Sequence, residues 1–229
     1  MQSLDESLLA PLPPFSQLER TQIREILDQA SSKRLDAGVA VFEEGASAER
    51  FFLLLDGTVR VIKITPEGDQ VTSLHIPAGQ LFGIAPALGR DTYPATAIAA
   101  SEVLFLSWPA SVWGKFVADY PGFASETYKT VGTRLQEMHS RIVEMSTQHV
   151  EQRIARALLR LVNQSGKRVG DGIEIDFPIT RQDVSEMSGT TLHTVSRLLS
   201  AWEKNGLVSS KRKKIVVTDP HRLVVLGGA

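Results

Sequence analysis

Residues 179–202 read ITRQDVSEMSGTTLHTVSRLLSAW, two short helix patterns hinged on one glycine. Thr180 and Asp183 stand in the T-x-x-D arrangement of a capping box, which starts the first helix. Val184 and Met187 then face inward, and Gly189 permits the left-handed backbone that a tight turn between helices requires. Thr191 caps the second helix, whose Val195, Leu198, Leu199 and Trp202 form its buried face. His193, Ser196, Arg197 and Ser200 form the opposite face, which is polar and carries short side chains around one arginine.

Such a face suits a recognition helix, because an arginine can donate two hydrogen bonds to O6 and N7 of guanine in the major groove, a contact that discriminates by about 1–3 kcal/mol. After Gly206 comes SSKRKKIVVTD, residues 209–219, in which four consecutive basic residues lead a β-branched run. This pattern predicts a wing, a β-hairpin whose Lys211, Arg212, Lys213 and Lys214 lie near phosphates and set affinity without choosing sequence. The plainer alternative is a solvated basic loop.

The charge distribution agrees with the wing. Residues 1–149 hold 12 Lys and Arg against 18 Asp and Glu, whereas residues 150–229 hold 13 against 8. An acidic front and a basic tail suggest that the tail meets a polyanion. The 229-residue chain is long enough for two domains and has no cysteine, which excludes disulfides, thiolate-held clusters and a cysteine nucleophile. It has no apolar run of about 18 residues and no basic, apolar leader, so no membrane association and a cytoplasmic location are expected.

Upstream, the expected order is a helix over about 15–30, then short apolar or alternating runs over 35–108 punctuated by Gly38, Gly45, Gly57, Gly68, Gly79 and Gly83. That spacing fits an antiparallel β-roll, with Thr65-Pro66-Glu67-Gly68 as one tight turn. From 126 to 147 the pattern turns helical, and Tyr128, Val131, Leu135, Met138, Ile142 and Met145 alternate spacings of three and four. This is the seam of a two-stranded coiled coil, and it predicts a parallel homodimer; the alternative is an amphipathic helix packed on its own domain. A helix over about 149–162 follows, then NQSGKRVGDG as turn residues and IEIDFPI as a short strand. The fold class expected is α+β: a jelly-roll-like β-roll with an N-terminal helix (1–122), a long dimerisation helix (123–148) and a winged helix-turn-helix (149–229).

On FEEGASAERFFLLLDGTVRV, the long helix and ITRQDVSEMSGTTLHTVSRLLSAWEKNGLVSS, the chain resembles the Crp/Fnr family of bacterial transcription regulators. The resemblance implies a homodimer with a cyclic-nucleotide-binding-like effector domain, a palindromic promoter site and RNA polymerase as a partner. Carried over by position, Arg197 reads guanine, Ser196 accompanies it, and Thr180, Arg181 and Gln182 touch phosphates; Thr191 at the helix cap and Ser200 on the polar face are expected to complete the nucleic-acid-facing set. Half-sites of TTG type follow. His193 stands where the family usually has a glutamate that accepts from a cytosine amino group, so preference at the neighbouring base is expected to be altered or relaxed.

The effector segment also departs from the members that bind cyclic AMP. Ile84 replaces the ribose-binding glutamate, and Tyr93-Pro94 lie where an Arg-Ser pair would hold the cyclic phosphate. The pocket expected from Leu81, Phe82, Gly83, Ile84, Ala85, Tyr93 and Pro94 therefore suits a different small effector, with cyclic nucleotide as the lesser alternative. The strings SGTTLHTVSR and YPATA resemble the nitrogen-oxide-responsive NnrR/Dnr branch, which implies nitric oxide sensing through haem. His75 is the only histidine in the roll and so is the candidate axial ligand; its other reading is a strand histidine with a partly exposed ring. A cupin-type enzyme would need several converging histidines, so no catalytic residues are expected.

Overall fold

A computed structural model describes residues 5–228. Contacts divide the chain into two units: residues up to Val61 with His75–Glu137, and Ile62–Leu74 with Met138 onward.

The first unit begins with 3-10 turns at Glu6–Leu8 and Pro13–Phe15 and a helix α1 (Arg20–Leu27). This helix is shorter than the 15–30 expected from sequence. Pro13 and Pro14 seed a 3-10 turn instead, and Glu19 N donates to Gln22 Oε1 at 2.9 Å to open α1. Eight strands follow: β1 (Ser31–Leu35), β2 (Ala40–Phe42), β3 (Arg50–Asp56), β4 (Thr58–Ile64), β5 (Gln70–Pro77), β6 (Leu81–Phe82), β7 (Thr96–Ala99) and β8 (Val103–Pro109). They form two four-stranded sheets, ordered β1-β8-β3-β6 and β2-β7-β4-β5. The roll thus starts four residues before the expected position 35. The Thr65–Gly68 turn forms as expected, with Gly68 N donating to Thr65 O at 2.9 Å.

Strand β3 pairs antiparallel with β8, placing Phe51 opposite Trp108 and Leu53 opposite Leu106. Phe51 and Trp108 stack at 5.4 Å, and Trp113 and Phe116 meet Phe51 edge-on from α2 (Trp113–Asp119). Trp108 is fully buried and satisfies its indole N–H on Ile26 O at 2.8 Å, which fixes α1 on the roll. Ile23, Ile26, Phe15 and Phe123 complete this core.

Helix α3 (Pro121–Thr147) runs for 27 residues, about 40 Å at 1.5 Å per residue. Its first turns are buried by Phe123 and Ala124, and Val131 packs on the roll core. Beyond Val131 the expected seam is bare. Leu135, Met138, Ile142 and Met145 are 47–66 % exposed, as is Tyr128.

In the second unit, α4 (Val150–Ser165) buries Ile154, Ala155, Ala157, Leu158 and Leu161. Arg160 Nη1 donates to both oxygens of the buried Glu144 at 2.9 and 2.8 Å, tying α4 to the end of α3. Gly166–Val169 forms a strand, β9, where turn residues were expected, because a two-residue reversal at Gly170-Asp171 lets it pair with β10 (Gly172–Ile175). Next come α5 (Arg181–Ser188), α6 (Leu192–Lys204), the hairpin of β11 (Val208–Lys211) and β12 (Lys214–Val217), and α7 (Pro220–Leu226). The sheet order is β11-β12-β10-β9, all antiparallel.

Candidate nucleic-acid interface and effector segment

The start of α5 is closed by reciprocal bonds. Thr180 Oγ1 accepts from Asp183 N at 3.1 Å, and Thr180 N donates to Asp183 Oδ2 at 2.7 Å. Gly189 ends the helix at φ 60°, and a Cβ there would stand 3.1 Å from Met145 Cε. Arg153 donates to Ser188 O at 2.9 Å, fastening the turn to α4. Thr191 Oγ1 accepts from Thr194 N at 3.2 Å and opens α6.

Val184, Met187, Val195, Leu199 and Trp202 are buried as the sequence pattern requires, and the Trp202 indole donates to Glu151 Oε1 at 3.1 Å. Leu198 departs from that pattern. It is only half-buried, one position off the centre of the stripe that Val195, Leu199 and Trp202 define.

His193 and Arg197 are exposed on α6, and neither makes a hydrogen bond or ion pair to the described residues. Ser196 and Ser200 are half-buried on the same helix. The hairpin turns at Arg212-Lys213, with Lys213 in the left-handed region at φ 59°. Lys211, Arg212, Lys213 and Lys214 are all exposed, but Lys214 is held by Glu174 at 2.9 Å. An open cleft of ≈430 Å³ between Thr180 and the hairpin is lined by Arg181, Ser210, Lys211, Arg212 and Lys213. Three uncommitted cations beside this helix start favour an anion there. Gln182 is exposed and donates to Glu186 Oε1 at 3.1 Å.

In the roll, the segment expected to line an effector pocket is packed. Leu81, Phe82, Ile84, Ala85 and Tyr93 are buried, and Pro94 is exposed. Phe82 stacks on Phe52 at 5.0 Å, Phe42 on Tyr93 at 3.8 Å, and Phe105 meets Phe52 edge-on. Gly83 sits at φ 61°, and a Cβ there would lie 2.7 Å from the Phe52 ring. Tyr93 Oη donates to Arg50 O at 2.7 Å, and burial pushes its phenol above the usual range.

His75 is buried at 6 % exposure, which overturns the reading of a partly exposed strand histidine; it lies near the end of β5, next to the buried Ile76. Haem would need both a buried histidine and an open apolar slot. His75 meets the first condition; the rings packed around Phe82 do not meet the second. Among the described residues no group of three or more His, Asp or Glu could hold a metal.

Arg134 was not singled out in the sequence. It lies one residue before the exposed Leu135, and its Nη2 donates to Leu81 O at 2.6 Å and to Gln80 Oε1 at 3.3 Å. Burial draws its guanidinium down to about 10, opposed by the charge of Glu137, so it remains charged at neutral pH. Its sequence signal was position alone: it flanks the seam seven residues before Arg141.

Comparison with known proteins places these elements. Residues 32–120 match the cyclic nucleotide-binding domain, and residues 152–226 match the Crp-like helix-turn-helix domain. An effector-type roll joined to such a helix-turn-helix defines a DNA-binding transcription regulator, not an enzyme. The chain belongs to the Crp/Fnr family. It is 26 % identical over 92 % of its length to Electron transport regulator A of Shewanella oneidensis, covering 83 % of that protein. It is 21 % identical over 95 % of its length to a CRP-like cAMP-activated global transcriptional regulator of Mycobacterium tuberculosis, covering 97 % of it. In fold it is similar to FixK2 from Bradyrhizobium japonicum, with a TM-score of 0.77 at 21 % identity, over 87 % of this chain and 98 % of that one.

Proposed function

We propose that the protein is a homodimer, joined through Tyr128, Val131, Leu135, Met138, Ile142 and Met145 of α3, that binds a palindromic promoter site and recruits or blocks RNA polymerase there. The observation that carries the DNA reading is the free, exposed guanidinium of Arg197 on a capped helix flanked by the basic hairpin. Arg197 reads guanine in a TTG-like half-site, and His193 tunes the neighbouring base. Thr180, Gln182, Thr191, Lys211, Arg212 and Lys213 meet phosphates; Lys214, already paired with Glu174, adds less. A two-fold axis along the bare seam of α3 would present two α6 helices to grooves about 34 Å apart.

A small effector acts at the segment Leu81–Ala85 with Tyr93 and Pro94. Arg134 supports this reading, because it links the Leu81 carbonyl to the helix that carries the seam. The absence of a cationic Arg-Ser pair and of the glutamate at 84 weighs against cyclic nucleotide. The nitric oxide reading rests on the strings SGTTLHTVSR and YPATA; the buried His75 favours haem, and the rings packed around Phe82 weigh against it. Absorption spectra after haem addition, with and without nitric oxide, test it: an unshifted Soret band leaves the segment to an organic effector. Selection from random palindromic duplexes, followed by titration of the winners, tests the DNA reading, and no preference over bulk DNA would sink it.

A further inference from the structure

We infer that Arg181 is a positioning residue that sets the wing against the recognition helix, and that it is not one of the phosphate contacts; this rests on the DNA-binding reading above. Arg181 is the first residue of α5, next to the cleft where a phosphate would sit, yet its guanidinium is turned inward. Its Nη1 donates to Ser196 O at 3.3 Å and to Ser200 Oγ at 3.2 Å. Its Nη2 pairs with Glu203 Oε2 at 3.2 Å, and its Nε reaches Ser210 Oγ at 3.4 Å.

Guanidinium has five N–H donors, and these contacts engage four of them. Glu203 is itself doubly used, because its Oε1 accepts from Ser210 N at 2.7 Å. One arginine and one glutamate thus join three elements: the start of α5, the second half of α6 and the end of strand β11 before the hairpin tip. The contrast with Arg197, which bonds to nothing described, is one of function. A charge already balanced by a carboxylate adds little to the field that draws phosphates, whereas a planar fork held at four points fixes the angle between α6 and the hairpin. The same geometry removes Ser200 from the base-facing set, since its hydroxyl serves Arg181.

The test compares wild type, Arg181→Met and Glu203→Gln as full chains, by anisotropy titration of a selected duplex and a scrambled duplex across a range of salt. Arg181→Met is expected to lower the ratio of specific to non-specific affinity about fivefold or more, as loss of charge-assisted bonds at one site would. The slope of log K against log salt is expected to stay unchanged. Glu203→Gln is expected to reproduce that loss, and the double variant to fall no further, because both act on one brace.

A shallower slope in Arg181→Met by about 0.9, with the specificity ratio kept, would mean a lost phosphate contact and overturns the inference. A steeper slope and higher non-specific affinity in Glu203→Gln would do the same, by showing an arginine merely restrained from DNA. If Arg181→Met does not fold, the Glu203→Gln measurements decide alone. A wild-type chain that prefers no duplex overturns the DNA reading itself.

Discussion

Thr72 Oγ1 of β5 donates to Glu186 Oε2 of α5 at 3.0 Å, and Gln70 Nε2 donates to the same oxygen at 2.9 Å. The carboxylate of the first helix in the helix-turn-helix is therefore the acceptor for the β4–β5 hairpin. Arg141 of α3 donates to Thr72 O and Ser73 O from the other side. Thr72 is buried, so its hydroxyl depends on this acceptor.

Replacing Glu186 with alanine removes that acceptor and should cost about 1–3 kcal/mol of stability, as for a buried hydroxyl left unpaired. Urea unfolding followed by the fluorescence of Trp202, with Trp108 and Trp113 replaced by phenylalanine, measures it. Glu186→Gln keeps an acceptor and should lose less than half as much; equal losses would assign the effect to helix α5 alone.

The bare seam makes a prediction about assembly. Leu135→Glu places a charge at an exposed core position of the seam and should convert a dimer to a monomer in sedimentation at micromolar concentration. Binding to a palindromic duplex should fall at least tenfold, about 1.4 kcal/mol, because the two half-sites are no longer joined. An unchanged mass would show that α3 is not the interface.

Arg197 and Lys213 should separate specificity from affinity. Arg197→Ala should cost about 1–3 kcal/mol on the selected site and relax preference at a single base pair. Lys213→Ala should weaken selected and scrambled duplexes alike and lower the salt slope by about 0.9. His193→Glu should restore preference for cytosine at the neighbouring position; an unchanged profile removes His193 from the readout.

Gly83→Ala should destabilise the roll by about 1–3 kcal/mol, because the added methyl meets the Phe52 ring and the backbone is held at φ 61°. Thermal unfolding followed at Trp108 reads this directly. A loss near zero would mean that the rings of Phe42 and Phe52 shift freely.

Sequence carried the parts of the fold whose signals are local. Thr180, Asp183, Gly189 and Thr191 act within four residues of themselves, so the helix-turn-helix was legible, as was the helical run of α3. The roll was legible from its glycines, which bend the chain where they stand. What escaped depends on partners far along the chain. The partners of the Arg181 fork, Ser196, Ser200, Glu203 and Ser210, are brought to it only by folding. Likewise, the rings of Phe42, Phe52 and Phe105 that pack against Phe82 come from three other strands, and only folding brings them to the Leu81–Ala85 segment. Gly166–Val169 read as a turn because a four-residue strand flanked by glycines has too little periodicity to register.

The hairpin at 62–74 also bears on how the molecule can be divided. Because β4 begins in one unit and ends in the other, the chain passes between them at 61, at 74 and again at 137. A fragment starting at Met138 would hold every residue of the helix-turn-helix yet lack Gln70 and Thr72, leaving Glu186 and Arg141 facing water where they now hold the hairpin. The portable DNA-binding part of this protein is accordingly discontinuous in sequence, and a faithful excision would have to graft thirteen residues of the roll back onto it.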